Sequence, residues 1–431
     1  MALQLSAAGN VSLSDVLHAW RDGPGEPQRI RNMDYAVGSM TMLFLAAYYK
    51  AYTDLYKHYK SKIKEYRHPL DRKNRYHEMR RVCYYRLRKQ SCKDDPVLKP
   101  NDIPASLCTH IIVGYAHVDF NGIVYPAHPE DEDVYASITR VGVPVLLSIA
   151  GPATGGFSSM VSTRTTRLRF IRSTVGLIRR FGFSGVDLDW EFPGMGNNRY
   201  YDRRRFTVLV EEFRAYMKES KKEFLMSACV SAKYPVIYTA YDVRPLSKML
   251  DFVNVMAYDF SYFTEQWPYT EHHSPLFPRP GEPMHLGGHN VASAIHHWTA
   301  AGMPHEKINV GIPLYARTYR LKYRQRPLME SEALGPGPGT GGRMSYREVC
   351  KHLKGGGVAL MDKYTYAPYA YREDEWMGYD NVQSTILKSQ WAETMGLGGV
   401  MTYAINMDDW EGACDNKTTF PIHRAIWRTI G

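Results

Sequence analysis

Eight short apolar runs recur at wide intervals between about Arg81 and the C-terminus, and they limit the possible folds more than any other feature. They are VCYY (82–85), HIIVGYA (110–116), PVLLSIAG (144–151), GVDLDWE (185–191), LMSACVSA (225–232), FVNVMAYD (252–259), INVGIPLYA (308–316) and GGVMTYAIN (398–406). Each has the length of a strand buried on both faces. The stretches between them carry helical periodicity. Leu168, Ile171, Val175 and Ile178 share one face of one stretch, and Phe206, Leu209, Val210, Phe213 and Met217 one face of another. Eight strands alternating with helices predict an α/β protein of the (β/α)8 TIM-barrel class over residues 81–431. An open doubly wound sheet shows the same alternation, but no Gly-rich phosphate fingerprint follows the first strand.

The interval between the seventh and eighth runs is long. Residues 317–380 hold the glycine clusters GPGPGTGG and GGG and the tyrosine-rich piece KYTYAPYAYREDEW. A structureless loop of that length is uncommon. The segment therefore reads as a small α+β insertion on the loop face of the barrel, between strands 7 and 8.

One run carries charge where a buried strand should not. In VDLDWE, Val186, Leu188 and Trp190 fall on one face of a strand, and Asp187, Asp189 and Glu191 on the other. In a barrel the first set packs against helices. The second points inward, with Glu191 at the C-terminal mouth, where barrel active sites lie. Same-face neighbours are about 7 Å apart. Confined carboxylates that close cannot all ionise cheaply, so at least one proton is retained above the free pKa of about 4. That supplies a carboxylic acid at neutral pH, as general acid catalysis requires. The bland alternative is an exposed strand with a solvated polar face.

The first 80 residues are organised differently. Residues 1–34 are polar, with Gly and Pro, and read as a disordered tail. Tyr35 to Tyr49 is an uncharged run preceded by Arg29 and Arg31. It is shorter than the roughly 17 residues a spanning helix needs. An uncleaved signal anchor of type II orientation is the first reading, and a cleaved signal peptide the second. Lysines from Lys50 onward favour the opposite orientation by the positive-inside rule. Residues 50–80 form a basic spacer. From Lys50 to Lys99 the chain has sixteen Lys or Arg, so the rest of the +10 chain is close to neutral. No nucleic-acid motif accompanies this charge. Six cysteines, none in a C-x-x-C pair, argue against structural zinc and fit disulfides in an extracellular or secretory compartment. The sequons Asn10-Val11-Ser12 and Asn416-Lys417-Thr418 are compatible with that compartment.

FSGVDLDWEFPG (183–194) resembles the signature of family 18 glycoside hydrolases, the chitinases and chitinase-like proteins, with motif Asp-x-x-Asp-x-Asp-x-Glu. The likeness is an ordered series. CYY with LCTHIIVGYA resembles the first two strands, VLLSIAG the third, VMAYDF with HHSPLF the sixth and its loop, and GIPLYARTY the seventh. GYDNVQSTILK and GGVMTYAINMDDWEGAC are similar to the C-terminal part. The resemblance implies Glu191 as general acid/base in a substrate-assisted reaction, in which the N-acetyl oxygen attacks the anomeric carbon. It implies that Asp189 orients the acetamide and shares a proton with Glu191. Asp187 would hold that proton's other position, and Tyr258 would hydrogen-bond the acetamide. Met256, Asp259, Arg317, Tyr403 and the motif's Trp190 are expected to contact substrate. Disulfides are implied for Cys83 with Cys108 and for Cys350 with Cys414, leaving Cys92 and Cys229 free. The implied partners are chitin or N-acetylglucosamine oligosaccharides, bound by a monomer without metal or cofactor.

Four positions depart from the family pattern. Ser184 replaces the first motif aspartate, which predicts a slower rather than a dead site. Tyr403 stands where a tryptophan forms the floor, Pro152 stands where a tryptophan follows the third strand, and YYRLRK after the first strand lacks one. With each stacking contact worth about 1 kcal/mol, weaker sugar subsites follow.

Overall fold

The computed structural model of the 431-residue chain describes residues 78–87, 97–151, 156–195, 199–221, 223–279 and 288–431. The tail 1–34, the hydrophobic segment 35–49 and nearly all of the spacer 50–80 lie outside the described residues. Among the described residues no helix is long and apolar enough to cross a membrane.

The strands are Arg80–Arg86 (β1), His110–Val118 (β2), Val124–Pro126 (β3), Val145–Gly151 (β4), Gly185–Trp190 (β5), Leu225–Ser231 (β6), Phe252–Met256 (β7), Ile308–Pro313 (β8), Tyr315–Leu321 (β9), Ala333–Pro336 (β10), Arg343–Ser345 (β11), Val358–Met361 (β12), Pro368–Arg372 (β13), Glu375–Gly378 (β14) and Gly399–Tyr403 (β15). Around the barrel the order is β1, β2, β4, β5, β6, β7, β8, β15, every pair parallel, and β15 returns to β1. The closed ring excludes the open doubly wound sheet. Each of its eight strands coincides with one of the eight apolar runs, β1 and β2 extending a few residues beyond theirs. β3 pairs antiparallel with the end of β2.

β4, β5 and β8 are buried along their whole length, as parallel strands covered by helices should be. The covering helices are amphipathic. Arg164–Phe181 starts at Thr163, whose hydroxyl accepts from the Thr166 amide at 3.2 Å, and ends at Gly182 with φ +77°. That left-handed conformation suits glycine and closes the last turn. The helix buries Phe170, Ile171, Val175 and Ile178. Arg199–Glu219 buries Phe206, Leu209, Val210, Phe213 and Met217.

Between β8 and β15 lies a second, antiparallel sheet of order β10-β9-β14-β13-β12, with β11 also on β9. Tyr319, Leu321, Ala333 and Trp376 form its core. The helix Tyr346–Lys354 starts with a capping box between Ser345 and Glu348. The sheet begins at Tyr315, separated from β8 by Leu314 alone. Cys350 in this helix is bonded to Cys414 beyond β15, and Cys83 in β1 to Cys108 before β2. Cys229 is a buried free thiol; Cys92 lies outside the described residues.

Candidate active site

β5 has the expected alternation. Val186, Leu188 and Trp190 face outward. Trp190 stacks on Phe157 (centroids 5.1 Å apart, planes at 23°) and meets Phe206 edge-on at 6.0 Å. It is therefore held between the barrel and its helices, away from the cleft that Glu191 lines. The expectation that Trp190 contacts substrate is corrected by strand periodicity.

Asp187 is wholly buried and satisfied from three strands. The sheet register puts Ser148 of β4 and Ser227 of β6 directly beside it. Ser148 donates to Asp187 Oδ2 at 2.8 Å and Ser227 to Oδ1 at 2.5 Å. Tyr84 of β1 reaches across the barrel and donates to Oδ2 at 2.6 Å. Burial raises the Asp187 pKa, and these donors offset part of the rise. Asp189, one pleat nearer the mouth, is also wholly buried, but neither oxygen has a donor in hydrogen-bonding geometry. Burial first, then repulsion from Glu191 and Asp187, push its carboxyl well above the usual range; Tyr115 and Cys229 beside it partly offset that. Glu191 is half-buried at the mouth. Burial and the Asp259 charge raise its pKa against the opposing pull of Arg343. The strand thus presents a proton-retaining carboxyl group to the cleft, backed by two buried acids.

Tyrosines make the walls and floor. Tyr258 and Tyr403 lie near-parallel at 6.1 Å and 29°, Tyr315 meets Tyr258 edge-on at 6.1 Å, and the Tyr115 hydroxyl donates to that of Tyr403 at 3.3 Å. Two glycines make room. A Cβ on Gly151, whose φ is +52°, would fall 2.5 Å from the Tyr115 ring, and one on Gly311 only 2.9 Å from that of Tyr258. The cleft has a volume of about 370 Å³ and is lined by Glu191, Met256, Tyr258, Asp259, Arg317 and Tyr403 among others.

Asp259 has φ +57° and meets Arg317, whose Nε donates to Oδ1 at 2.6 Å and whose Nη2 donates to Oδ2. His273 Nδ1 lies 3.4 Å from the same Oδ1. Burial alone would raise the Asp259 pKa, but His273 and Arg317 outweigh it and hold the carboxyl well below the usual range. Asp259 is thus a permanent charge that fixes Arg317. Arg317 also lies over the Tyr262 ring at 4.7 Å.

Ser184 is not part of this arrangement. It precedes β5, faces opposite to Asp187, and its Oγ lies 3.4 Å from the Val145 amide that donates to it. It lines a different hollow, with Arg214, Lys218 and Lys221. Pro152 lies outside the described residues. The one group of described residues with donors close enough for a metal is Cys350, Asp409 and Cys414, and the disulfide occupies both sulfurs.

Several residues of the site escaped sequence reasoning. Tyr84, Ser148 and Ser227 sit inside apolar runs, and an inward polar residue in such a run is the signal that would have found them. Tyr115, Arg86, Lys233, Tyr315 and Arg343 also line the cleft; they come from strand ends and the insertion, which no local pattern brings together.

The family model for glycosyl hydrolases family 18 matches residues 80–408, a span that includes every barrel strand and the carboxylate ladder. The chain belongs to glycosyl hydrolase family 18. Within the family it is 34% identical over 358 residues to human oviduct-specific glycoprotein, covering 79% of this chain and 52% of that one, so it spans about half that relative's length. Among solved structures it is similar to an immunomodulatory active chitinase from Trichuris suis, with TM-score 0.76 and 28% identity over 82% of this chain and all of the other. It is equally similar in fold to human YKL-39, described as a pseudo-chitinase with retained chitooligosaccharide binding properties, with TM-score 0.76 and 32% identity over 82% and 100% of the two chains. The family 18 fold thus occurs in both catalytic and non-catalytic neighbours.

Proposed function

We propose that this chain hydrolyses β-1,4-linked N-acetylglucosamine polymers or oligomers with retention, using the substrate's own acetamide as nucleophile. The observation that carries the reading is Glu191, half-buried at the barrel mouth with a raised pKa above two wholly buried aspartates. Glu191 gives its proton to the glycosidic oxygen as the acetamide oxygen closes on the anomeric carbon, and the C–O bond to the leaving sugar breaks. Asp189 orients the acetamide and accepts a share of the proton, with Asp187 behind it. The Tyr258 hydroxyl holds the acetamide oxygen, and burial keeps that phenol protonated. Water then attacks the anomeric carbon, Glu191 takes its proton back, and the acetamide is restored. Tyr403 supplies the stacking floor, Met256 a side wall, and the Asp259–Arg317 pair a polar contact. Two disulfides and the exposed Asn416 sequon favour an extracellular or secretory location.

The second reading is a carbohydrate-binding protein with little turnover, favoured by the likeness to a pseudo-chitinase. A fluorogenic N-acetyl-chitooligosaccharide separates the two. The wild-type chain is expected to release product, and Glu191→Gln to lose at least about 100-fold. Binding with no turnover above that variant at any pH from about 4 to 8 would replace the enzyme by the binding protein.

A further inference from the structure

We propose that the cleft selects N-acetylhexosamine glycans bearing anionic groups, carboxylates or sulfate esters, beside the bond at Glu191. The inference deepens the hydrolase reading and rests on it.

Four cations line the cleft, Arg86, Lys233, Arg317 and Arg343, against two carboxylates, Glu191 and Asp259. Arg317 is committed to Asp259 through two donors. Arg343 is not. Its Nη2 is 3.7 Å from Asp259 Oδ2, an oxygen Arg317 already occupies, and its side chain is 53% exposed. The Arg86 guanidinium has no carboxylate in ion-pair range among the described residues. Its contacts are the Met407 sulfur at 4.0 Å and the Tyr403 ring, 5.8 Å from the centroid. Arg86 therefore projects over the aromatic floor. Lys233 is exposed.

The topology spreads these charges around the reaction centre. Arg86 ends β1 and Lys233 follows β6, which stand four places apart in the ring of eight and so on opposite sides. Arg343 comes from β11, held on β9 by pairing with Arg317. Cations thus border the cleft that Glu191 lines on three sides. Asp259 is neutralised by Arg317, and Glu191 retains its proton to higher pH, so the cleft keeps a net positive field. A concave, partly desolvated site focuses such a field. Neutral sugar hydroxyls satisfy some donors but none of the charge. Carboxylates and sulfates satisfy both, and the planar guanidinium matches them with paired donors.

The experiment uses the full chain carrying Glu191→Gln, so that ligands stay intact. Calorimetric titration at low salt compares chitotetraose, 6-O-sulfated chitotetraose and an alternating N-acetylglucosamine–glucuronate tetrasaccharide. At least one anionic ligand should bind roughly tenfold tighter than chitotetraose, and this ratio should shrink as salt is raised. Preference for the sulfated ligand alone assigns the anion as sulfate ester, and preference for the glucuronate ligand alone as carboxylate. Adding Arg86→Gln and Arg343→Gln should bring the ratio near one, whereas Arg86→Lys with Arg343→Lys should keep most of it. The lysine pair separates lost charge from lost folding. Equal binding of neutral and anionic ligands, or a ratio unmoved in the glutamine pair, overturns the selectivity while leaving the hydrolase reading standing. Failure of all three ligands to bind overturns both.

Discussion

Asp189 concentrates the tension in the site. It is wholly buried, lacks a hydrogen-bond donor in good geometry, and lies between two other acids. Its folded pKa is raised, so the native state holds this proton more tightly than the unfolded chain. The stability this lends is complete below the unfolded value near 4 and is lost as pH rises through the folded value. Asp189→Asn removes that loss. The variant should therefore gain stability relative to wild type between pH 4.5 and 8, by on the order of 1–3 kcal/mol. Urea unfolding at the two pH values reads it, and an unchanged difference between the proteins would show that Asp189 titrates normally. The same residue shows where sequence stops informing. Its inward direction follows from alternation. Its missing donors do not, because they depend on what the neighbouring strands place opposite it.

At the level of the strand, β5 separates two kinds of residue by parity. The acids at 187, 189 and 191 face the barrel interior, and Ser184, Val186, Leu188 and Trp190 do not. That rule was legible in VDLDWE, and it also sets Trp190 and Ser184 apart from the acids. Trp190 packs on Phe157, and Ser184 lies about 10 Å back along the strand from Asp187, on the other side. A carboxylate at 184 would be close to the Val145 amide and to Arg214, Lys218 and Lys221, not to Glu191. Ser184→Asp should therefore leave kcat/KM within about twofold, since surface and backbone contacts move stability by about 1 kcal/mol and not the reacting carboxyl. A several-fold rise in turnover would mean that the first motif position acts on the cluster through the strand.

The whole barrel was legible because its signal is distributed: eight buried runs and the amphipathic stretches between them require no long-range information. The insertion was legible as an element but not as a wall of the cleft. Tyr315 and Arg343 reach the site through an antiparallel register between β9 and β11 that local sequence does not encode. The disulfide pairings came by resemblance, since six cysteines alone allow many connectivities. Their placement gives them unequal weight. Cys83–Cys108 closes a separation of 25 residues within the first two strands, whereas Cys350–Cys414 closes 64 and ties the insertion helix to the chain beyond β15, the strand that carries Tyr403. In the chain-entropy account the longer loop removes more freedom from the unfolded state. Cys350→Ala with Cys414→Ala should cost about 4 kcal/mol, and Cys83→Ala with Cys108→Ala about 3.5 kcal/mol. The first pair should also loosen the floor, which a weaker affinity for chitotetraose in the Glu191→Gln background would report. Denaturant unfolding of the two double variants tests the order. A smaller loss for the 350–414 pair would mean that packing of the insertion on the barrel, not chain closure, holds that side of the cleft.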